Sequence, residues 1–277
     1  MNTTTLVPHG FCAGVRNAIK TALGIPFRGG TVYCLHELVH NELVVEDLRK
    51  RGFLFVESLD EVPDGSQILF SAHGVSPQIR AAARRKGLDV IDATCPFVKR
   101  VHLDARRFSG KGLKVVVIGK KDHVETIGIL GEAPDAVVVG DPAEAAALAY
   151  DPSCAGRTLG IVSQTTMNSD SVKRIVEILS ERFPVETAAE TCNATKERQD
   201  AVKAFRGDAL LVLGSANSSN TKRLCEIFGA KTFRAADMDE VRSLDFSGVA
   251  HLGVTSGAST PEEFLSEAVA YLETLKN

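Results

Sequence analysis

The sequence predicts an α/β protein made of three pseudo-equivalent α/β units, each with a small, mostly parallel sheet. Two observations predict this fold class. Short apolar segments of strand length alternate with amphipathic segments of helical spacing along the 277 residues. The same order of segments also recurs three times, and each round begins at a cysteine: Cys12, Cys95 and Cys192. The recurrence predicts one structural unit per cysteine.

Each round opens with a predicted amphipathic helix and an apolar strand. The helices are expected at residues 15–23, 98–108 and 194–205, and the strands at residues 31–35, 114–118 and 209–213. Each strand leads into a polar loop, which carries His40, His123 or Asn220 at the same distance of 28 residues from its cysteine. The equal offsets indicate that these three residues hold equivalent places.

Each round continues with a second helix, a short strand, a connection that opens with acidic residues, and a third strand that ends in a small polar loop. The second helices are expected at residues 42–51, 125–131 and 222–228, the short strands at 53–56, 136–139 and 231–234, and the third strands at 67–71, 159–163 and 251–255. A third helix follows in every round. A last strand, at residues 88–91 and 185–188, follows only in the first two rounds.

The third round ends with the helix at residues 262–275 and has no last strand of its own. We expect the strand at residues 4–7 to take that place, which closes the three units into a ring. The predicted units are therefore residues 13–94, 95–191 and 192–277, the last one completed by residues 1–12. Ligand crevices in such sheets lie beyond the carboxyl ends of the strands, so the polar loops and the cysteines are expected to face one centre.

Composition and charge exclude several classes of protein. The formal net charge is -3, and basic and acidic residues are interspersed, so nothing indicates a surface for nucleic acid or an anionic membrane. The longest apolar runs have strand length and are too short to span a membrane. The N-terminal residues lack the regions of a secretory signal, so we expect a cytosolic protein whose six cysteines stay reduced.

The three repeated cysteines, each at a predicted strand-to-helix junction, form a candidate metal site. A helix N-terminus favours the thiolate. Three thiolates without a Cys-x-x-Cys pair suit an iron-sulfur cluster bound at three irons, with the fourth iron open as a Lewis acid. A structural zinc site would need a fourth ligand, and the alternative without metal is a set of buried or reactive thiols. Cys34, Cys154 and Cys225 lie outside the repeat and are interpreted as structural.

Histidines and small polar residues of the same loops form a candidate anion site. His40, His73 and His123 can donate hydrogen bonds to an anion, and hydroxyl and amide donors lie next to predicted helix N-termini. These donors are Thr165, Thr166, Ser218, Ser219, Asn220, Ser256 and Ser259. The same residue types are common N-caps and turn residues, and one residue can serve both purposes.

Glu125, two residues after His123, is the one carboxylate of these loops expected to face the centre. Beside a metal-bound substrate it could deliver a proton, directly or through Thr165. The alternative is a glutamate that only favours a helix start. No Walker or dinucleotide-binding fingerprint occurs, so the sequence does not support a nucleotide cofactor.

Seven motifs in order along the chain resemble those of the hydroxymethylbutenyl diphosphate reductases, the last enzymes of the methylerythritol phosphate route to isoprenoids. The motifs are residues 10–15 (GFCAGV), 38–41 (LVHN), 71–76 (SAHGVS), 92–96 (DATCP), 164–166 (QTT), 217–220 (NSSN) and 257–259 (GAS). The likeness runs from Leu6 to the C-terminal helix and so covers essentially the whole chain.

The resemblance implies a trefoil of three α/β units around one 4Fe-4S cluster per chain, held by Cys12, Cys95 and Cys192. It implies reductive dehydroxylation of an allylic diphosphate by two electrons, which gives isopentenyl and dimethylallyl diphosphate. Glu125 is implied to supply the proton. The residues implied to bind the diphosphate are His40, His73, Ser218, Asn220 and Ser259, with Ser219 alongside, and those implied to line the substrate are His123 and Thr165.

One residue departs from the family pattern, and the resemblance also implies a partner. The family usually has proline between the histidine and the glutamate, where this chain has Val124. Without the fixed φ of proline the loop is expected to be looser, which bears on the placement of Glu125. A ferredoxin or a flavodoxin is the implied electron donor, and a monomer is expected because the internal units already bury one another.

Two other functions fit some of the same residues. One is a thiol-dependent hydrolase or transferase that uses Cys12, a histidine and Glu125. The other is an iron-sulfur sensor without catalytic activity, and the lack of a basic patch speaks against it.

Overall fold

The computed structural model describes residues 1–27, 30–188, 192–229 and 231–275. Its strands are β1 (Asn2–Thr5), β2 (Val32–Leu35), β3 (Phe53–Val56), β4 (Gln67–Phe70), β5 (Asp89–Asp92), β6 (Lys114–Ile118), β7 (Val137–Val139), β8 (Leu159–Ser163), β9 (Val185–Thr187), β10 (Ala209–Leu213), β11 (Lys231–Ala235) and β12 (His251–Ser256). Its helices are α1 (Ala13–Leu23), α2 (Glu42–Lys50), α3 (Pro77–Arg85), α4 (Pro96–Gly110), α5 (Val124–Leu130), α6 (Pro142–Leu148), α7 (Ser169–Ser180), α8 (Asn193–Ala204), α9 (Ser219–Phe228), α10 (Met238–Ser243) and α11 (Glu262–Thr274). Two short 3₁₀ helices, Leu59–Glu61 and Pro152–Cys154, complete the description.

The strands form three parallel sheets of four strands each, which confirms the predicted α/β fold class. The strand orders are β3-β2-β4-β5, β7-β6-β8-β9 and β1-β12-β10-β11. When the third order is reversed, so that it runs from β11 to β1, it matches the first two orders. In this comparison β1 occupies the edge position that β5 and β9 occupy in their own sheets. Asn2 pairs with His251 and Thr5 with Val254, both in parallel register. The N-terminal strand therefore supplies the fourth strand of this sheet.

The central strands are mostly apolar, as expected for sheets whose two faces are both covered. Every residue of β6, β8 and β10 is buried. Along β10, Leu211 and Leu213 pack into one hydrophobic cluster, whereas Leu210 and Val212 pack into another. Successive side chains of a strand point to opposite faces of the sheet. Because both faces of β10 pack against apolar clusters, its sequence is apolar at every position.

The chain divides into two compact units. The first comprises residues 1–17, 39–52 and 193–277, and it contains the sheet of β1, β10, β11 and β12. The second comprises residues 18–38 and 53–192 and contains the other two sheets. The predicted boundary after residue 94 stays a prediction, and the one at residue 191 lies outside the described residues.

The structure differs from the predicted elements at a few positions. β1 spans Asn2–Thr5 and not residues 4–7, because the polar residues Thr3 and Thr4 pair with β12 while Val7 is exposed. The connections in the first and third rounds contain a short helix that was not predicted, a 3₁₀ turn and α10 respectively. In the second round, α6 agrees with the helix that the alanine-rich residues 143–149 predict. The acidic residues Asp141 and Asp237 are the N-caps of α6 and α10, as expected for a side chain that accepts from free N–H groups.

No helix within the described residues combines the length and the apolar character needed to cross a membrane.

Candidate active site

The three cysteines of the repeat are half-buried, and each directly precedes a helix. Cys12 precedes α1, and its Sγ accepts a hydrogen bond from the backbone N of Val15 at 3.5 Å. Cys95 is the N-cap of α4, and Cys192 precedes α8. Cys12 belongs to the first unit, whereas Cys95 and Cys192 belong to the second. The convergence of the three thiols on one centre stays a prediction.

The other three cysteines differ from these in their surroundings. Cys34 and Cys154 are fully buried. Burial raises the pKa of the Cys34 thiol far above its usual range, and burial raises that of Cys225 to about 11, although Arg234 partly opposes the rise. A buried thiol with a raised pKa is a poor metal ligand, because the thiolate is the form that binds metal.

The three repeat cysteines fit an iron-sulfur cluster by their chemistry, because clusters of this kind are held by cysteine thiolates. All three are half-buried and lie directly before a helix. Partly accessible thiols at helix N-termini have the thiolate character that such a cluster requires.

In the first unit, three loops at the start of helices lie in contact. The Ser259 hydroxyl donates to the carbonyl oxygen of His40 at 2.9 Å, so the structure brings these two predicted diphosphate ligands together. The Ser215 hydroxyl donates to Oε1 of Glu42 at 2.7 Å. This second contact joins the loop before α9 to the first turn of α2, directly after His40.

The start of α9 combines a helix cap with an unsatisfied amide. Ser218 is the N-cap, and its Oγ accepts from the backbone N of Thr221 at 3.3 Å. Asn220 is only 3% exposed, and neither its Nδ2 nor its Oδ1 has a hydrogen-bond partner among the described residues. A buried amide without a partner is costly, which makes Asn220 a candidate ligand-binding residue. Ser219, the first residue of α9, is half-buried between them.

In the second unit, two predicted substrate ligands are in direct contact. The rings of His73 and His123 meet edge to face, with centroids 5.8 Å apart and an interplanar angle of 87°. Ser71 Oγ lies 3.3 Å from Nδ1 of His73. The backbone N of Cys95 donates to the carbonyl of Ala72 at 3.0 Å, which fixes the Cys95 turn against the His73 loop.

Glu125 is held by Thr165 and lies beside His123. The carboxylate accepts from the backbone N of Thr165 at 2.7 Å and from its hydroxyl at 3.1 Å. Glu125 is 2% exposed. Nδ1 of His123 accepts from the backbone N of Glu125 at 3.1 Å and so caps α5, which leaves the proton of the neutral ring on Nε2.

Val124, the departure from the family pattern, is the first residue of α5. Proline is common at this position because the N–H there has no partner within the helix. Valine adopts the same helical conformation, and the contacts between Glu125 and Thr165 are present with it. The loop therefore keeps Glu125 in place without the proline ring.

Sequence reasoning missed Arg198, which is 2% exposed. Its guanidinium donates to the carbonyl oxygens of Gly10 at 2.6 Å and Ala194 at 3.0 Å. These carbonyls lie two residues before Cys12 and two after Cys192, so one side chain joins the start of α8 to the Cys12 turn. A signal was available, because Arg198 lies on the same face of α8 as Thr195 and Val202, both buried.

Comparisons with known proteins agree in one family. A family model described as LytB protein matches residues 4–273. The chain is 42% identical over 276 residues to a protein of Rhodopirellula baltica named 4-hydroxy-3-methylbut-2-enyl diphosphate reductase, covering 96% of this chain and 86% of that protein. It is 43% identical over 277 residues to a protein of the same name from Ruegeria pomeroyi, covering 95% of this chain and 86% of that protein.

Two solved structures share the fold. The structure of E-1-hydroxy-2-methyl-but-2-enyl-4-diphosphate reductase from Plasmodium falciparum superposes with a TM-score of 0.90 at 34% identity, covering 100% of this chain and 88% of that one. A structure of (E)-4-hydroxy-3-methyl-but-2-enyl diphosphate reductase, described as the terminal enzyme of the non-mevalonate pathway, gives a TM-score of 0.69 at 31% identity, covering 99% of this chain and 100% of that one. With the family model matched over residues 4–273, the chain belongs to the LytB protein family.

Proposed function

We propose that the chain reduces (E)-4-hydroxy-3-methylbut-2-enyl diphosphate to isopentenyl and dimethylallyl diphosphate, the last step of the methylerythritol phosphate route to isoprenoids. The reaction consumes two electrons and two protons per substrate, breaks the carbon–oxygen bond of the allylic alcohol, and releases water. Membership of the LytB family and the names of its relatives support this function. The observation that carries the proton step is the buried Glu125 carboxylate on Thr165.

The cofactor of this proposal is one 4Fe-4S cluster per chain, held by Cys12, Cys95 and Cys192. When bound, the cluster supplies single electrons and a Lewis-acidic iron. The support from this chain is the set of three half-buried thiols, each placed directly before a helix.

The diphosphate is proposed to bind His40, His73, Ser218, Asn220 and Ser259, with Ser219 alongside. Two features of the first unit support this. The Ser259 hydroxyl touches the His40 backbone, and the buried amide of Asn220 has no partner among the described residues. Because the diphosphate does not react, these contacts would orient the allylic alcohol at a distance from the chemistry.

Glu125 is proposed to protonate the departing hydroxyl, with His123 and Thr165 lining the substrate. The Thr165 hydroxyl lies 3.1 Å from Oε2 of Glu125. It can pass its own proton to the leaving oxygen and take one from a protonated Glu125 carboxyl. Burial of Glu125 keeps bulk water from this proton path. Protonation of the allyl carbon at either end then decides which product forms.

The electron donor is proposed to be a ferredoxin or a flavodoxin, and the chain is proposed to act as a monomer in the cytoplasm. A reducing compartment fits a chain of this size, which has little need of disulfides to stabilise its fold.

The variant Glu125→Gln tests the proton role. The amide is nearly isosteric and can still accept from the backbone N of Thr165, so the fold, the cluster content and the binding of substrate should be retained. Without the acidic proton, kcat should fall by roughly 10²- to 10³-fold. Turnover with dithionite as reductant, normalised to iron and sulfide content, measures the loss.

A matched control is Glu177→Gln, which makes the same chemical change on the exposed face of α7, where Glu177 pairs with Arg174. This control should turn over at the rate of the unmodified chain. Undiminished turnover in Glu125→Gln would contradict the proton role.

A further inference from the structure

Helix α4, whose N-cap is Cys95, carries a cluster of basic and apolar side chains on its exposed face. Phe97 and Leu103 are 47% and 51% exposed, and four cations are exposed around them. These are Lys99, Arg100, Arg106 and Arg107. The one carboxylate of the helix, Asp104, is buried and lies 3.0 Å from both Arg100 and Arg107. The outward surface of α4 is therefore positive.

A cleft of ≈ 430 Å³ beside α4 extends this positive surface to α3. Four cations line the cleft, namely Arg80, Arg84, Lys99 and Arg106, against two carboxylates, Asp92 and Glu132. Although burial favours its protonated form, hydrogen bonds from Thr94 and the pairing with Arg80 lower the pKa of Asp92 to about 2. The cleft thus keeps a surplus of positive charge even with both carboxylates ionised.

A histidine in the wall of this cleft does not change the surplus. His102 donates from its Nδ1 to Glu132 at 3.1 Å. Burial lowers the pKa of His102, although Glu132 and Asp92 oppose the shift and Arg80 adds to it. Burial therefore disfavours the charged form of the ring. The positive charge comes from arginine and lysine, so it does not depend on pH in the physiological range.

We propose that this surface, which we call the basic face (Arg84, Phe97, Lys99, Arg100, Leu103 and Arg106), is the docking site of an acidic one-electron carrier protein. The inference rests on the proposed reduction. Each reduced carrier is oxidised by one electron on the basic face, and two carriers in succession supply the two electrons. Together with two protons, these electrons convert the alcohol into the deoxygenated product and water.

The position of α4 favours an electron carrier over other partners. The proposed reduction consumes two electrons per turnover, so the chain must receive electrons from an external donor at its surface. The exposed residues Pro96 and Phe97 directly follow Cys95, so a protein docked here lies against the turn that carries a proposed cluster ligand. A short separation favours electron transfer.

The composition of the basic face favours a protein over a nucleic acid. Aromatic residues and arginine are enriched at the centre of protein interfaces, and Phe97 and Leu103 lie among the arginines. The whole chain has a net charge of -3, so a long polyanion would be repelled outside this face. A small acidic protein needs only the local patch.

Charge reversal tests the docking site. In the variant Lys99→Glu/Arg106→Glu, kcat/KM with a purified, reduced acidic [2Fe-2S] ferredoxin at low ionic strength should fall at least about 10-fold, because the steering charge is reversed. Turnover of the same holoenzyme with dithionite should be unchanged. The Kd of oxidised ferredoxin should rise by a similar factor, and its salt dependence should weaken.

Two further variants make the result specific. Lys99→Gln/Arg106→Gln removes the charges without placing new carboxylates near Asp92 and Glu132. The fall in kcat/KM with ferredoxin and the rise in its Kd should have the same direction as in the glutamate variant and be smaller. Lys173→Glu/Arg174→Glu makes the same change in net charge on α7, where both residues are exposed. This control should keep the ferredoxin-driven rate within about twofold.

Three outcomes would overturn the docking site. They are an unchanged ferredoxin Kd in both basic-face variants, an equal loss in the α7 control, and tighter binding of a 20-nucleotide RNA than of ferredoxin. Absence of turnover with dithionite in the unmodified holoenzyme would instead overturn the proposed reduction. The ferredoxin Kd would still decide the docking question.

Discussion

At Ser218 a single hydroxyl group is assigned to two purposes. Its Oγ caps α9 by accepting from Thr221 N, and it is proposed to contact the diphosphate. Nearby, Asn220 keeps its buried amide without a partner. The same combination occurs at His123, which caps α5 and is proposed to line the substrate. Capping residues suit this purpose because they lie where free backbone N–H groups and the helix dipole attract an anion.

Substitutions at Ser218 separate the cap from the ligand. Ser218→Asp keeps a good N-cap, so the unfolding free energy of the apo protein should stay within about 0.5 kcal/mol. The new carboxylate repels a diphosphate, so the inhibition constant of inorganic diphosphate should rise at least about 10-fold. Ser218→Ala should lose about 1 kcal/mol of stability by loss of the cap.

Thermal unfolding and inhibition by diphosphate measure the two effects. Asp237→Ala, at the N-cap of α10, is the control. It should lower the stability without weakening the binding of diphosphate. Diphosphate binding to Ser218→Asp as tight as to the unmodified chain would show that Ser218 is only a cap.

Helix α4 is positioned by a close contact with strand β8. A Cβ on Gly160 in β8 would lie 2.6 Å from Cβ of Phe108 in α4, so the glycine lets the helix approach the sheet. Both residues lie in the second unit. Because Cys95 is the N-cap of α4 and β8 leads to Thr165, this contact sets the spacing between two elements that carry proposed site residues.

Gly160→Ala should therefore be strongly unfavourable. The added methyl group forces β8 and α4 apart, and overpacking of this kind costs about 1–3 kcal/mol. Gly110→Ala is the matched control: Gly110 lies in the last turn of α4, and a Cβ there meets nothing within 4 Å. It should leave stability unchanged or raise it by up to about 1 kcal/mol. Urea unfolding of the apo protein compares the two, and equal effects would contradict the proposed contact.

The element boundaries show where sequence patterns were sufficient. The strands Phe53–Val56, Lys114–Ile118, Leu159–Ser163 and Ala209–Leu213 match their predicted bounds, because each is an apolar run that ends at polar or glycine residues. The helices α1 and α4 begin two residues earlier than predicted, at Ala13 and Pro96. Their first turns contain small or exposed residues, so the helical spacing of buried apolar residues does not include them. Proline at the first position of α4 was a usable signal for the start of that helix.

On the scale of the whole molecule, the six cysteines separate into two classes of reactivity. In the apo protein at pH 8, iodoacetamide should alkylate Cys12, Cys95 and Cys192 before Cys34 and Cys154. The first three are half-buried, whereas the last two are fully buried, and burial raises the pKa of Cys34. Cys225, whose pKa is raised to about 11, should react slowly.

Binding of the cluster should then protect the first class. In protein purified without oxygen, with four irons expected per chain, the three repeat thiols should resist alkylation until a chelator removes the iron. Peptide mass spectrometry gives the modified fraction of each cysteine. Alkylation of only one of the three in the iron-loaded protein would argue against three thiolate ligands, and colourless protein would favour a thiol-dependent enzyme.

By itself, the sequence determined the α/β class, the three parallel sheets and the identity of the proposed site residues. These depend on local patterns: apolar runs, helical periods, and polar residues at fixed offsets after a strand. Such patterns record which side chains are buried within one element and its neighbours in the chain.

Contacts between groups far apart in the sequence became visible only in the folded structure. Arg198 binds a carbonyl 188 residues away, Gly160 makes room for Phe108, and charges interspersed along the chain gather into a basic face on α3 and α4. No local pattern predicts these contacts, because they arise when elements far apart in the sequence pack together, and packing depends on the shape of both partners.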